Sequence, residues 1–134
     1  MRAVLDPNIL ISALLSRRGT PAQIVSHWLA GAFELVVSDA LITELERALA
    51  YPKLRSRITE TQAAEFVALL RHGAIHCADS PPTRHSGDPD DDYLLALAER
   101  EQAILVSGDE HLLVLSGELP IMTGVAFRDT LDAS

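Results

Sequence analysis

Short, unbroken apolar segments that alternate with helix-patterned stretches set the tightest limit on how this chain can fold. Residues 2–5, 33–37, 74–77, 103–106 and 121–122 read as strands, each too short for a helix and bounded by turn or cap residues. Between them stand amphipathic stretches. Residues 9–15 continue in apolar side chains after Asp6 and read as a helix. Thr20 with Gln23, and Thr59 with Gln62, each form the Thr-x-x-Gln pattern of a capping box, the first followed by Pro21. Ile24, Val25, Trp28 and Leu29 then share one helical face, with Gly31 as a C-terminal stop. Ser38 is a good N-cap for a helix over 39–50, buried through Leu41, Ile42, Leu45 and Leu49. Strand and helix in alternation, with strands that are apolar throughout, predict an α/β fold around a parallel sheet covered on both faces.

At 134 residues the chain is expected to form a single domain over 1–134. Hydrophobic residues make up 48%, which excludes a disordered chain, and no apolar run approaches a membrane span. The expected location is therefore the cytoplasm, with no membrane partner. Cys77 is the only cysteine and reads as a small core residue. With 19 Asp and Glu against 11 Lys and Arg, the net charge of −8 argues against nonspecific nucleic-acid binding driven by overall charge. It leaves room for a nucleic-acid enzyme whose acids are gathered at a metal.

The acids are not spread evenly. Asp88, Asp90, Asp91 and Asp92 crowd around Pro89, just before the apolar segment 93–98 and after the long polar loop 79–87. Taken alone, the run reads as an acidic first helical turn before it reads as a cation site, since Asp suits the positive end of a helix. The rest of the chain shifts that reading. Asp6 follows the first strand directly, and Asp109 stands just past the 103–106 strand. Glu44 lies on the helix leaving the second strand, and Asp92 on the helix leading into the fourth. With right-handed crossovers the strands run parallel, and Asp6, Glu44, Asp92 and Asp109 meet at one end of the sheet. Hard oxygen ligands of this kind select Mg²⁺ or Mn²⁺ over zinc. The five histidines show no metal-ligand spacing.

Residues 6–15, opening Asp6, Pro7, Asn8, Ile9, resemble the first motif of the PIN-domain ribonucleases, in which a strand ends in Asp, then Thr or Ser, then Asn. Residues 38–45, with Glu44, are similar to the family's second motif, 87–98 to its third, and Val106, Ser107, Gly108, Asp109 and the residues through Leu113 to its fourth. The nearest resemblance is to small bacterial and archaeal toxin components related to the VapC toxins. It implies a three-layer α/β/α fold with a parallel sheet in the order 3-2-1-4-5. It also implies Mg²⁺- or Mn²⁺-dependent cleavage of single-stranded RNA, a homodimer, and inhibition by a small protein antitoxin. Carried over, Asp6, Glu44, Asp92 and Asp109 are the catalytic and metal-site acids. Asn8 supports Asp6, and Ser107 stands in for a family hydroxyl. Asp91 replaces Asp92 if the helix starts one residue earlier. The chain departs from the pattern at Pro7, usually Thr or Ser, and at Glu110 and His111, usually Lys and Asp. Two other readings are a catalytically weak binding module for RNA or protein, and a phosphatase-like domain using Asp6 as nucleophile. Asn8, where such phosphatases carry a second Asp, disfavours the latter.

Overall fold

The five strands, β1 (Arg2–Leu5), β2 (Glu34–Val37), β3 (Ile75–His76), β4 (Ile104–Val106) and β5 (Ile121–Met122), form one all-parallel sheet in the order β3-β2-β1-β4-β5. The computed structural model describes residues 1–83 and 85–134. Strand β1 is central: Ala3 is in register with Leu35 on one side and Ile104 on the other, and Leu5 faces Val106. Ala3, Val4 and Leu5 are fully buried, which is why the strand is apolar at every position. The 3-2-1-4-5 order is the one the resemblance implies.

Helices α1 (Pro7–Leu15), α2 (Thr20–Leu29), α3 (Asp39–Leu49), α4 (Pro52–Arg55), α5 (Glu60–Gly73), α6 (Asp92–Arg100), α7 (Glu110–Leu113) and α8 (Gly124–Asp132) flank the sheet in a three-layer α/β/α arrangement. Helix α1 packs on α2 and α3, α2 on α8, α3 on α5, and α6 on β1 and β4. Leu41, Ile42, Leu45 and Leu49 of α3 and Ala63, Phe66, Val67 and Leu70 of α5 are buried, as their spacing predicts. Among the described residues no helix is long and apolar enough to cross a membrane.

The two capping-box patterns part company. At α5 the box closes: the Gln62 N–H donates to Thr59 Oγ1 at 3.0 Å and the Thr59 N–H to Gln62 Oε1 at 2.9 Å. At α2 it does not form. The extended residue is Gly19, so Thr20 already lies inside the helix, where its hydroxyl accepts a hydrogen bond from Arg128 on α8. Gln23 turns back to donate to the Arg18 carbonyl. Leu29, expected on the buried face of α2, is 58% exposed because the helix ends there. Gly31 then takes a positive φ of 84°, a conformation that favours glycine.

The helix that carries Asp92 does not run on from the acidic stretch before it. Asp88 caps a 3-10 turn over Pro89–Asp91, its side chain accepting from the Asp90 N–H at 3.0 Å, and α6 begins only at Asp92. A tighter turn of three residues rotates successive side chains differently from an α-turn. That change decides which aspartate faces the sheet end.

Candidate active site

Strand order reverses at β1, with β2 on one side and β4 on the other, and ligands of open α/β sheets bind beyond the strand ends at such a point. Asp6 closes β1 and Ser107 closes β4. Asp6 is 4% exposed, held by the Asn8 N–H on Oδ1 at 2.9 Å and the Ser107 hydroxyl on Oδ2 at 2.8 Å. Burial pushes its carboxyl above the usual range and Asp109 adds to that, while the Asn8 and Ser107 hydrogen bonds oppose it. Asn8 acts through its backbone, as the N–H that Asp6 caps at the start of α1. Pro7 precedes it in the first turn, where a missing N–H costs nothing.

Ser107 is fully buried and works in two directions. While its hydroxyl donates to Asp6, its oxygen accepts from the Asp109 N–H at 3.0 Å. Asp109 in turn caps α7, accepting from the His111 N–H at 2.8 Å. One hydroxyl thus ties the two strand-end acids together.

The third acid in this group is Asp91. It hydrogen-bonds to Asp109 through their carboxyls, and burial, that hydrogen bond and the charges of Asp6, Asp109 and Asp88 push its pKa up to about 7. Asp92, the acid expected here, is turned elsewhere. The residue is 5% exposed, and its carboxylate accepts from the Ser86 N–H at 2.7 Å, the Ser86 hydroxyl at 2.9 Å and His85 Nδ1 at 2.9 Å. Burial alone would raise its pKa, but the Ser86 and His85 contacts outweigh burial and lower it. Asp92 therefore pins the 85–88 loop, and the 3-10 turn presents Asp91 to Asp6 and Asp109.

Glu44, on α3, accepts a hydrogen bond from the Tyr93 hydroxyl. Burial first, then the Glu44 hydrogen bond and the charges of Glu44, Asp6 and Asp91, drive the Tyr93 phenol well above its ordinary pKa. Sequence reasoning read Tyr93 only as part of an apolar segment; its position two residues after Asp91 was the available signal. Gly87 matters for packing. A Cβ there would stand 2.3 Å from His111 Nδ1, so the glycine lets the loop bearing Asp91 close against α7.

Among the described residues no Lys or Arg side chain pairs with Asp6, Glu44, Asp91 or Asp109. Nor does any group of three or more His, Cys, Asp or Glu side chains among them stand ready-formed to hold a metal ion. The donor set itself, all oxygen and carrying crowded negative charge, has the chemistry of a Mg²⁺ or Mn²⁺ site.

The PIN domain family profile matches residues 2–111. The uncharacterized protein MJ1680 of Methanocaldococcus jannaschii is 25% identical over 120 residues, covering 88% of this chain and 77% of that protein. Among solved structures, PAE2754 from Pyrobaculum aerophilum superposes with a TM-score of 0.70 at 15% identity, covering 100% of this chain and 91% of the other. VapBC2 from Rickettsia felis, solved bound to a DNA fragment from its promoter, gives a TM-score of 0.63 at 14% identity, covering 92% and 97%. The structural likenesses carry the fold, and the profile spans most of the sequence, the acid-bearing strand ends included: the chain belongs to the PIN domain family.

Proposed function

We propose that this protein is a divalent-metal-dependent endoribonuclease that cleaves single-stranded RNA, and that it is the toxin of a toxin–antitoxin pair. The observation that carries the reading is the Asp91–Asp109 carboxyl pair beside buried Asp6, crowded negative charge that no Lys or Arg among the described residues offsets. PIN domains are generally nucleases, which supports phosphodiester hydrolysis. The fold shared with VapBC2 supports a protein antitoxin as partner.

In this mechanism Asp6, Asp91, Asp109 and Glu44 would hold the ion, which would supply an activated water and offset charge building on the phosphate. Ser107 and the Asn8 N–H fix Asp6, so the carboxylate needs no reorganisation to act. Asp91, its pKa pushed up to about 7 by burial and its acidic neighbours, would have to be ionised to hold the ion, which would couple activity to pH near neutrality. Asp92 serves the site indirectly, by fixing the loop from which Asp91 projects.

Cleavage of a panel of single-stranded RNAs under EDTA-controlled Mg²⁺ tests the reading. Asp6→Asn is expected to lower the rate by about 100-fold or more, in line with removal of a group that stabilises transition-state charge. Equal rates for parent and variant would sink the assignment. The unready metal geometry favours one rival, a binding module on the same fold. Calorimetric titration with Mn²⁺ separates them, since a module shows no heat of binding at millimolar ion.

A further inference from the structure

Tyr93 brings a hydroxyl to a place where packing asks only for a ring. It sits at the start of α6, partly buried against the apolar core, and its neighbours Leu94, Leu95 and Leu97 are fully or almost fully buried. A phenylalanine would supply the same apolar surface. The hydroxyl instead crosses from α6 to α3 and donates to Glu44 Oε2, a contact spanning 49 positions of sequence. A polar group withdrawn from water needs such a partner.

The consequence falls on Glu44. One carboxylate oxygen is engaged by the phenol, and no hydrogen bond among the described residues engages the other. Glu44 is half-buried on the α3 face whose next residue, Leu45, is fully buried. A glutamate side chain free to rotate there could turn to solvent or crowd the acids. We infer that Tyr93 is the positioning residue of Glu44, fixing the carboxylate so that it presents a single oxygen, Oε1, toward the group formed by Asp6, Asp91 and Asp109. This inference rests on the nuclease reading. A carboxylate limited in this way acts as a one-oxygen ligand or through an intervening water, and Tyr93 remains a neutral donor throughout.

A double-mutant cycle tests it, with Tyr93→Phe, Glu44→Ala and the pair measured by single-turnover cleavage and by Mn²⁺ calorimetry. Tyr93→Phe is expected to lower kcat by on the order of tenfold with KM little changed, as for a mispositioned group. It should also weaken Mn²⁺ binding severalfold, and both losses should vanish in the Glu44→Ala background. If the parent binds Mn²⁺ and cleaves, but Tyr93→Phe matches it or loses as much with Glu44 absent, the positioning role is overturned and the nuclease reading stands. A parent that neither binds Mn²⁺ nor cleaves overturns the nuclease reading, and this inference with it. A change confined to melting temperature, with kcat and Mn²⁺ affinity unaltered, marks the pair as purely structural and also overturns the inference.

Discussion

Asp91 and Asp109 hydrogen-bond carboxyl to carboxyl, which requires a proton between two groups that ordinarily lose theirs well below neutrality. The Asp91 pKa moves from 3.8 to about 7, so between those values the folded chain holds a proton that the unfolded chain has released. Stability therefore falls as pH rises through this window, the reverse of a salt-bridged aspartate. In EDTA, the melting temperature should drop by a few degrees between pH 5 and pH 7.5. Asp91→Asn should flatten that difference, and millimolar Mg²⁺ should remove it in the parent. A parent whose melting temperature rises over the same range contradicts the shared proton.

The division of labour between neighbouring aspartates gives a crossed pair of outcomes. Asp91→Asn removes a repulsive carboxylate and should raise metal-free stability at pH 7.5 while abolishing Mn²⁺ binding. Asp92→Asn loses part of a set of three hydrogen bonds at a buried carboxylate, at a cost of about 1–3 kcal/mol. Its Mn²⁺ affinity should fall less than that of Asp91→Asn. Thermal melts and calorimetry on the two variants decide the matter, and the opposite ranking would return the ligand position to Asp92.

These two residues also mark where sequence reading stops. The strands themselves and the α3 and α5 faces were legible because burial imposes a period on apolar side chains, as Leu41, Ile42, Leu45 and Leu49 show, whereas the strand order came only with the family resemblance. The places of Asp6 and Asp109 beyond two strand ends were legible because a strand end leaves little freedom in where the next residue sits. The choice between Asp91 and Asp92 depends on a 3-10 turn where an α-turn was expected, a difference that acid composition does not encode. Thr20 failed as a cap for a similar reason: Gly19 takes the extended conformation one residue earlier. Tyr93 was hidden because an aromatic in an apolar run looks the same whether or not its hydroxyl has a partner.

Ser107 offers a test of how the strand ends are joined. Ser107→Ala deletes the donor to Asp6 and the acceptor for the Asp109 N–H inside a fully buried site, so a loss of about 1–3 kcal/mol is expected. With Asp6 less well held, its carboxyl should be easier to protonate and Mn²⁺ binding should weaken most at acidic pH. Chemical denaturation and calorimetry at two pH values measure both effects. Unchanged stability would mean that the hydroxyl bridge contributes nothing.

Gly87 and His111 meet where the loop bearing Asp91 closes on the helix capped by Asp109. A Cβ at position 87 would lie 2.3 Å from His111 Nδ1 and 3.1 Å from its Cγ, so Gly87→Ala must push the whole ring aside or open the loop. Overpacking of this kind costs about 1–3 kcal/mol where neighbours cannot yield. His111 is exposed, so the ring can yield in part, and the lower end of that range is expected for stability. The larger effect should fall on the site, because a displaced loop carries Asp91 away from Asp109 and weakens Mn²⁺ binding. Removing the obstacle should reverse this: Gly87→Ala in a His111→Ala background should bind Mn²⁺ as His111→Ala alone does. Calorimetry on the three variants reads the coupling directly, and an equal loss in both backgrounds would show that the two residues act independently.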